Sequence, residues 1–345
     1  MSGPSDAQKA VEKFKQGLEG LENAEMNALV QAYRPVQQGI DKETIKITTQ
    51  AARQGLKPWQ VMRLTTMDQL RAQIVGDIKL FSDIAAAQIT QGQAAAVLLS
   101  EQAAFSTMAA GLPPGVTPDM LANVGVEWNR LPREALGNFV GIAGDGAPVG
   151  NLLAEMGPQT AQVVRSSMLE GIGLGYSPRK TARNVQNASG MQLSKALAIA
   201  RTETNRSFHE ASRLQYASNP NLVKGYKRLS AKDDRVCMAC IALDGTLYEV
   251  EEPLNSHVNC RCAMVPETLT YADLGLDVPM PPEPENGKDW FNKQSTSTQK
   301  TMMKNPARYE AFKSGKINFN DLVKITDDPV WGKSASVAPL KDLSL

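Results

Sequence analysis

Three features of this sequence predict a mainly α fold with a small C-terminal α+β, zinc-clipped domain. Apolar residues recur at three–four spacing as far as Ala217, strand-like alternation starts only at Val223, and every cysteine lies between Cys237 and Cys262. The cysteine spacing is the sharpest of the three. The four cysteines, with one of the chain's two histidines among them, read C-x2-C (Cys237, Cys240) and then H-x2-C-x-C (His257, Cys260, Cys262). A disulfide framework would spread its cysteines through a small domain. A C-x2-C turn instead aims two thiolates at one centre, and a second knuckle brings the rest. The spacing therefore predicts one structural Zn2+ per chain, with reduced buried cysteines or an assembly-stage disulfide as alternatives.

Zinc takes four ligands, and five candidates are present. Cys260 and Cys262 are two apart and would face one side of a strand. Spacing leaves open which two of His257, Cys260 and Cys262 join Cys237 and Cys240. A catalytic zinc would need an open position and a general base. The other histidine opens His209-Glu210-Ala211-Ser212-Arg213, not H-E-x-x-H, and the deaminase pairing of H-x-E with P-C-x-x-C does not occur. The metal is therefore read as structural.

The first helix starts at the capping box Ser5-Asp6-Ala7-Gln8, with Val11, Phe14, Leu18 and Leu21 following at helical spacing. Pro35 is expected to interrupt it. Lys57-Pro58-Trp59 opens a longer element whose stripe of Trp59, Met62, Met67, Leu70, Ile74, Ile78 and Phe81 reads as core. From Ile84 to Val126 only Glu101 and Asp119 carry charge, which suits close helix packing or assembly. Loops are expected at Gly111–Gly115 and Gly141–Gly150, and a helix from Leu152 to Leu169. Gly171-Ile172-Gly173-Leu174-Gly175 lacks the strand and the G-K-[ST] of a phosphate loop, so it reads as a helix–loop–helix joint before Ser177-Pro178. A long helix follows from about Gln192 to Ala217, with Leu193, Leu197, Ala200, Thr204, Phe208 and Ala211 inward.

Short strands are expected at Val223–Leu229, Thr246–Val250 and Cys262–Val265, with a hairpin-type turn at Asp244-Gly245. So few strands cannot bury a core of their own, which is where a metal clip would be useful. Beyond Pro266, the proline-rich linker Met280-Pro281-Pro282-Glu283-Pro284 leads to a helical and loop-rich tail. The expected domains are 1–165, 166–267 and 268–345.

Composition sets outer bounds. Lys+Arg 37 against Asp+Glu 36 excludes a wholesale nucleic-acid coat. MSGPSDAQKAVEKF lacks an apolar signal core, and the longest apolar run, Ala94 to Leu99, is far short of the ~20 residues of a membrane span. No membrane span is expected, and free thiols suit a reducing cytoplasm.

Taken in order, IARTETNRSFHEA, DDRVCMACIALDG and HVNCRC resemble the signature of the phage Mu protein F-like head morphogenesis family. The resemblance is densest from Met191 to Pro266 and extends weakly through Trp290-Phe291, Gln299 and Trp331-Gly332. It covers Arg201, Thr202, Glu203, Asn205, Asp233, Asp234, Cys237, Cys240, Gly245, His257, Cys260, Arg261 and Cys262. It implies a low-copy minor head protein, assembled in the host cytoplasm and carried in the virion. Its implied partners are the portal protein and the major capsid or scaffold protein, met by the helical N-terminal region near the portal vertex. Some relatives contact or leave with the packaged DNA. Others carry a toxin or transferase domain, and no such module is visible here, so no enzymatic activity is expected.

Physical reading of the same residues adds three expectations. Arg201, Asn205 and His209 are four apart and line one helix face, where they could hydrogen-bond the metal-clipped loops. Glu203 and Arg261 are a candidate buried pair. Between Ser177 and Val236 stand twelve Lys or Arg against four Asp or Glu, densest at Lys224, Lys227 and Arg228. Such a patch suits double-stranded DNA without sequence preference, an acidic protein partner, or plain solvent. The competing functional reading is a phage DNA-binding or DNA-processing enzyme with a structural zinc, using Arg201, Glu203 and His209.

Overall fold

Long amphipathic stripes make helix the dominant element, and strands enter only where β-branched and aromatic residues alternate. The structure, a computed structural model, describes residues 5–123, 126, 128–273, 279, 283–328 and 332–343. The helices ahead of the sheet are α1 (Asp6–Gln54), α2 (Pro58–Val61), α3 (Thr65–Ala110), α4 (Pro118–Asn123), α5 (Arg133–Gly137), α6 (Met156–Gly173) and α7 (Pro178–Ala217). Next come β1 (Val223–Leu229), α8 (Met238–Ala242), β2 (Leu247–Tyr248) and β3 (Ala263–Thr268). The tail holds α9 (Gly287–Asn292), α10 (Thr296–Met303), α11 (Pro306–Lys313), β4 (Val323–Asp328) and β5 (Gly332–Val337). No described helix is long and apolar enough to cross a membrane.

The residues gather into two compact units, each discontinuous in sequence. A helical unit takes Glu22–Gly92 and Gly141–Glu203, and a second unit takes Met1–Leu21, Gln93–Val140 and Thr204–Leu345. In the helical unit, Leu29, Tyr33, Ile40 and Ile47 of α1 are buried, as are Leu70, Ile74, Ile78 and Phe81 of α3. Tyr33 meets Phe81 edge-on at 5.0 Å and donates its hydroxyl to Ser189 O at 3.0 Å. Burial raises that phenol to about 12, so it stays a donor.

Several boundaries depart from expectation. Helix α1 runs through Pro35 unbroken. A proline there forfeits one backbone hydrogen bond, and the apolar face of Tyr33, Val36 and Ile40, all buried, outweighs it. The element opened by Pro58 lasts one turn, and α3 starts afresh at Thr65. Met67, Leu70, Ile74, Ile78 and Phe81 are core, whereas Trp59 and Met62 are exposed. Helix α6 begins at Met156 after a 3-10 turn over Val149–Leu153. The glycine joint is as expected, with Gly175 at φ +69 and Ser177 Oγ accepting from Lys180 N at 3.3 Å. From that start α7 continues without a break to Ala217, because Gly190 costs only about 1 kcal/mol and nothing else in the span stops a helix.

In the second unit β1 is the central strand of an antiparallel sheet ordered β2-β1-β3. Gly225 is required there, since a Cβ would lie 2.5 Å from Tyr248 O. Tyr226 and Tyr248 stack across the pair at 5.4 Å. The core of this unit runs on through the tail: Tyr226, Met238 and Ile241 share one cluster with Phe291, Met303, Leu322 and Leu343. Phe291, Phe312 and Phe319 pack edge to face. The tail is also more than helix and loop, because β4 and β5 form an antiparallel hairpin in register Val323↔Val337 to Asp328↔Gly332. Of the proline-rich linker, Met280, Pro281 and Pro282 lie outside the described residues, as does Trp331.

Gly287 is where the tail meets α8: a Cβ there would stand 2.7 Å from Ile241 O and from Asp244 Cβ. Gly287→Ala is expected to destabilise the second unit by about 2 kcal/mol. A lower melting temperature and faster proteolysis between residues 287 and 343 would register it. Unchanged values would show that the backbone yields at this contact.

Candidate metal centre

The thiols converge because two short pieces of backbone are held in special conformations. Cys237 is the N-cap of α8, and its Sγ accepts from Cys240 N at 3.4 Å. That single turn carries Cys240 round to the same side. On the other knuckle Asn259 takes a left-handed φ of 61, and Cys260 N closes onto His257 O at 3.0 Å. This tight turn places His257 and Cys260 opposite α8, and β3 begins directly after Cys262.

Two overlapping triads result, Cys237–Cys240–His257 and Cys240–Cys260–Cys262, each with its ligand atoms within 4.8 Å of one another. Cys240 belongs to both. His257 Nε2 lies 3.2 Å from Cys237 Sγ and 3.3 Å from Cys240 Sγ, and Cys240 Sγ lies 3.8 Å from Cys260 Sγ. A tetrahedral ion with metal–sulfur bonds of about 2.3 Å has sulfur–sulfur edges of about 3.8 Å, so the donors fit such an ion. All four thiols are free. Hydrogen bonding from the Cys240 thiol pulls both Cys237, to about 4, and Cys260 down toward thiolate, the ligating form. His257 Nδ1 donates to Val258 O at 2.8 Å, which turns Nε2 toward the sulfurs. These Cys and His groups could hold a metal ion.

One face of α7 braces the knuckles from outside. Asn205 Nδ2 donates to Cys260 O at 3.3 Å, His209 hydrogen-bonds the Cys262 backbone, and Arg213 donates to Val250 O at 2.8 Å. These residues are four apart, so one helical stripe holds three points of the loops around the candidate donors. Burial lowers His209 to about 4 and keeps its ring neutral, as a positioning donor requires. Arg201 plays a different part: its Nε donates to Glu22 at 3.1 Å within the helical unit, where Glu203 is also buried.

Two expectations are corrected here. Arg261 does not pair with Glu203; it makes a two-pronged bond to Asp233 at 2.5 and 2.7 Å. The Arg261 guanidinium holds that carboxyl down at about 2. The neighbouring Asp234 is exposed and makes no such bond. The second correction concerns Lys224, Lys227 and Arg228, which do not form one basic patch. Strand alternation separates Arg228 from Lys227, and a bulge between Val223 and Gly225 interrupts that alternation at the exposed Lys224. Lys224 pairs with Asp273, and Lys227 pairs with Glu267 at 3.1 Å and Glu283 at 2.8 Å. Arg228 is 1% exposed and cannot reach a phosphate.

Arg228 instead sits under the thiols. Nη1 approaches Cys262 Sγ at 3.9 Å, Nη2 donates to Asn255 O at 2.8 Å, and the guanidinium lies 5.8 Å from the Tyr248 ring centroid. Among the described residues no carboxylate is within ion-pair distance of it. Although burial works against its charge, Cys262, Cys260 and Cys240 favour it. A buried cation needs a nearby anion. A divalent ion with three thiolates and an imidazole carries one net negative charge, which one guanidinium offsets. Sequence alternation contained the signal, since Arg228 shares its face with the aromatic Tyr226.

Arg228→Gln is therefore expected to speed metal release to a chelator by at least about tenfold, and to cost about 2 kcal/mol or more of stability. Lys227→Gln, a change on the strand's other face, is expected to leave both unchanged. Equal metal release from Arg228→Gln and the parent would remove the countercharge role.

Neither the curated proteins nor the solved structures returned a match to this chain. A family model did match: residues 162–265 fit phage Mu protein F like protein. The match takes in α7, the sheet as far as Val265 and all five candidate donors, and stops before the tail. Over the residues that hold the candidate metal centre and the helix bracing it, the chain is similar to the phage Mu protein F like family.

Proposed function

We propose that this protein is a minor head protein of a tailed phage, acting in head morphogenesis at the portal vertex. The observation that carries the reading is the family match over residues 162–265, which coincides with the braced metal centre. Its partners are the portal protein and the major capsid or scaffold protein. The donors at the centre are spent on one another and on backbone, which suits a fold-holding ion. Zn2+ suits a set rich in thiolates, and the closed donor set gives it a structural role. Cys237, Cys240, His257 and Cys260 supply the four ligands, and Cys262 stands behind them against Arg228.

Two measurements test this. Metal analysis of the purified chain is expected to find about one zinc per chain. Cys240→Ser should lose the metal and unfold the region from Val223 to Pro266, whereas Cys262→Ser should keep it. A cobalt-loaded spectrum of four-sulfur type would move Cys262 into the ligand set in place of His257. For the head role, mass spectrometry of purified virions should detect the chain at far lower copy than the major capsid protein. Absence from both procapsids and virions would overturn it.

A further inference from the structure

One end of the helical unit carries exposed apolar side chains on two stretches whose charged residues are all cations. Trp59 is 55% exposed, Met62 42% and Leu174 58%. From Arg53 to Arg63 there are three cations (Arg53, Lys57, Arg63) and no acidic residue, and from Gly171 to Arg183 a further three, again with no acid. The two stretches meet: α2 packs on α6, and a Cβ on Gly173 would lie 3.5 Å from Pro58 Cγ.

The exposed groups are held in place. Val61 is fully buried and anchors the single turn of α2. Arg63 lies over the Trp59 ring at 5.4 Å, and Lys180 lies over Tyr176 at 3.4 Å. An indole fixed on a short, anchored turn loses little freedom on binding. Tryptophan and arginine are also the residues on which protein interfaces concentrate their energy. A duplex backbone would satisfy the cations but leave Trp59, Met62 and Leu174 wet. A membrane surface calls for a longer apolar face than one turn and a loop present.

We propose that this end of the helical unit is a docking surface for an acidic protein segment with an apolar pocket that receives Trp59. The proposal is independent of the metal centre and of the head role, and it defines the partner by chemistry.

The test uses the full chain with a benzoylphenylalanine photo-cross-linker at Trp59, made in the cells that natively produce the protein. Leu80, 64% exposed on α3, is the control position. The expected result is one cross-linked protein whose linked peptide is net acidic, with at least about tenfold more product than at Leu80. Separately, Trp59→Ala and the combined Lys57→Glu, Arg63→Glu and Lys180→Glu chain are each expected to lower affinity for that purified partner at least about tenfold. Their melting should match the parent, since the changes are on the surface. No cross-link above the control, a neutral or basic linked peptide, or a link to a second copy of this chain would overturn the proposal. So would binding of phosphatidylserine vesicles or random duplex DNA that needs Trp59 and those cations. Cross-linking with the chain absent from procapsids and virions would remove the head role and leave this surface standing.

Discussion

Cys240 is the point about which the second unit is organised. Its sulfur is common to both donor triads, its amide caps back onto Cys237, and its helix is a single turn that could not persist alone. Gathering four thiols, three of them buried, creates an electrostatic problem. Sulfur can ligate a metal only as thiolate, and thiolates repel one another. One cation is in place to offset them: Arg228 lies beneath the sulfurs, with no carboxylate within ion-pair distance among the described residues. Tyr226 and Tyr248 seal that arginine from solvent, so the central strand serves packing and charge balance together.

Helix α7 divides its labour along its length. Its earlier part gives Val185 and Ile199 to the helical unit's core, while the later part presents Asn205, His209 and Arg213 to loop carbonyls. These are ordinary neutral or cationic donors meeting backbone acceptors. Such bonds carry little net stability each, but they fix loops whose geometry decides where the ligand atoms sit. Polar residues on this face thus serve to position, and burial keeps His209 neutral as one of these donors.

The local signals were readable from sequence. Ser5 and Ser177 mark helix starts, β1 has the bounds its alternation implies, and the cysteine spacing brings five donors into one cluster. What escaped depends on contacts remote in sequence. Pro35 is tolerated because apolar groups on either side are buried. The hairpin of β4 and β5 alternates apolar and polar residues only over Val323-Lys324-Ile325-Thr326, too short a run to announce it, and its second strand is mostly small and polar; Ala335 N reaches Asn255 O at 3.3 Å. Which acid would meet Arg261 turned on a loop conformation, with Lys232 in a left-handed φ of 47 just before Asp233. Compactness likewise gathers segments far apart in the chain, which composition along the chain cannot reveal.

The core of the second unit does not respect the limits of the recognised family segment. Phe291, Met303 and Leu322 stand in the same apolar cluster as Met238 and Ile241, beyond the last matched residue. A fragment cut at Val265 would carry every sulfur and imidazole of the centre yet turn the back of its own α8 toward water. The family similarity outlines the candidate donors, and the tail supplies the wall they lean on. Any exchange of knuckles between relatives must therefore bring its own tail.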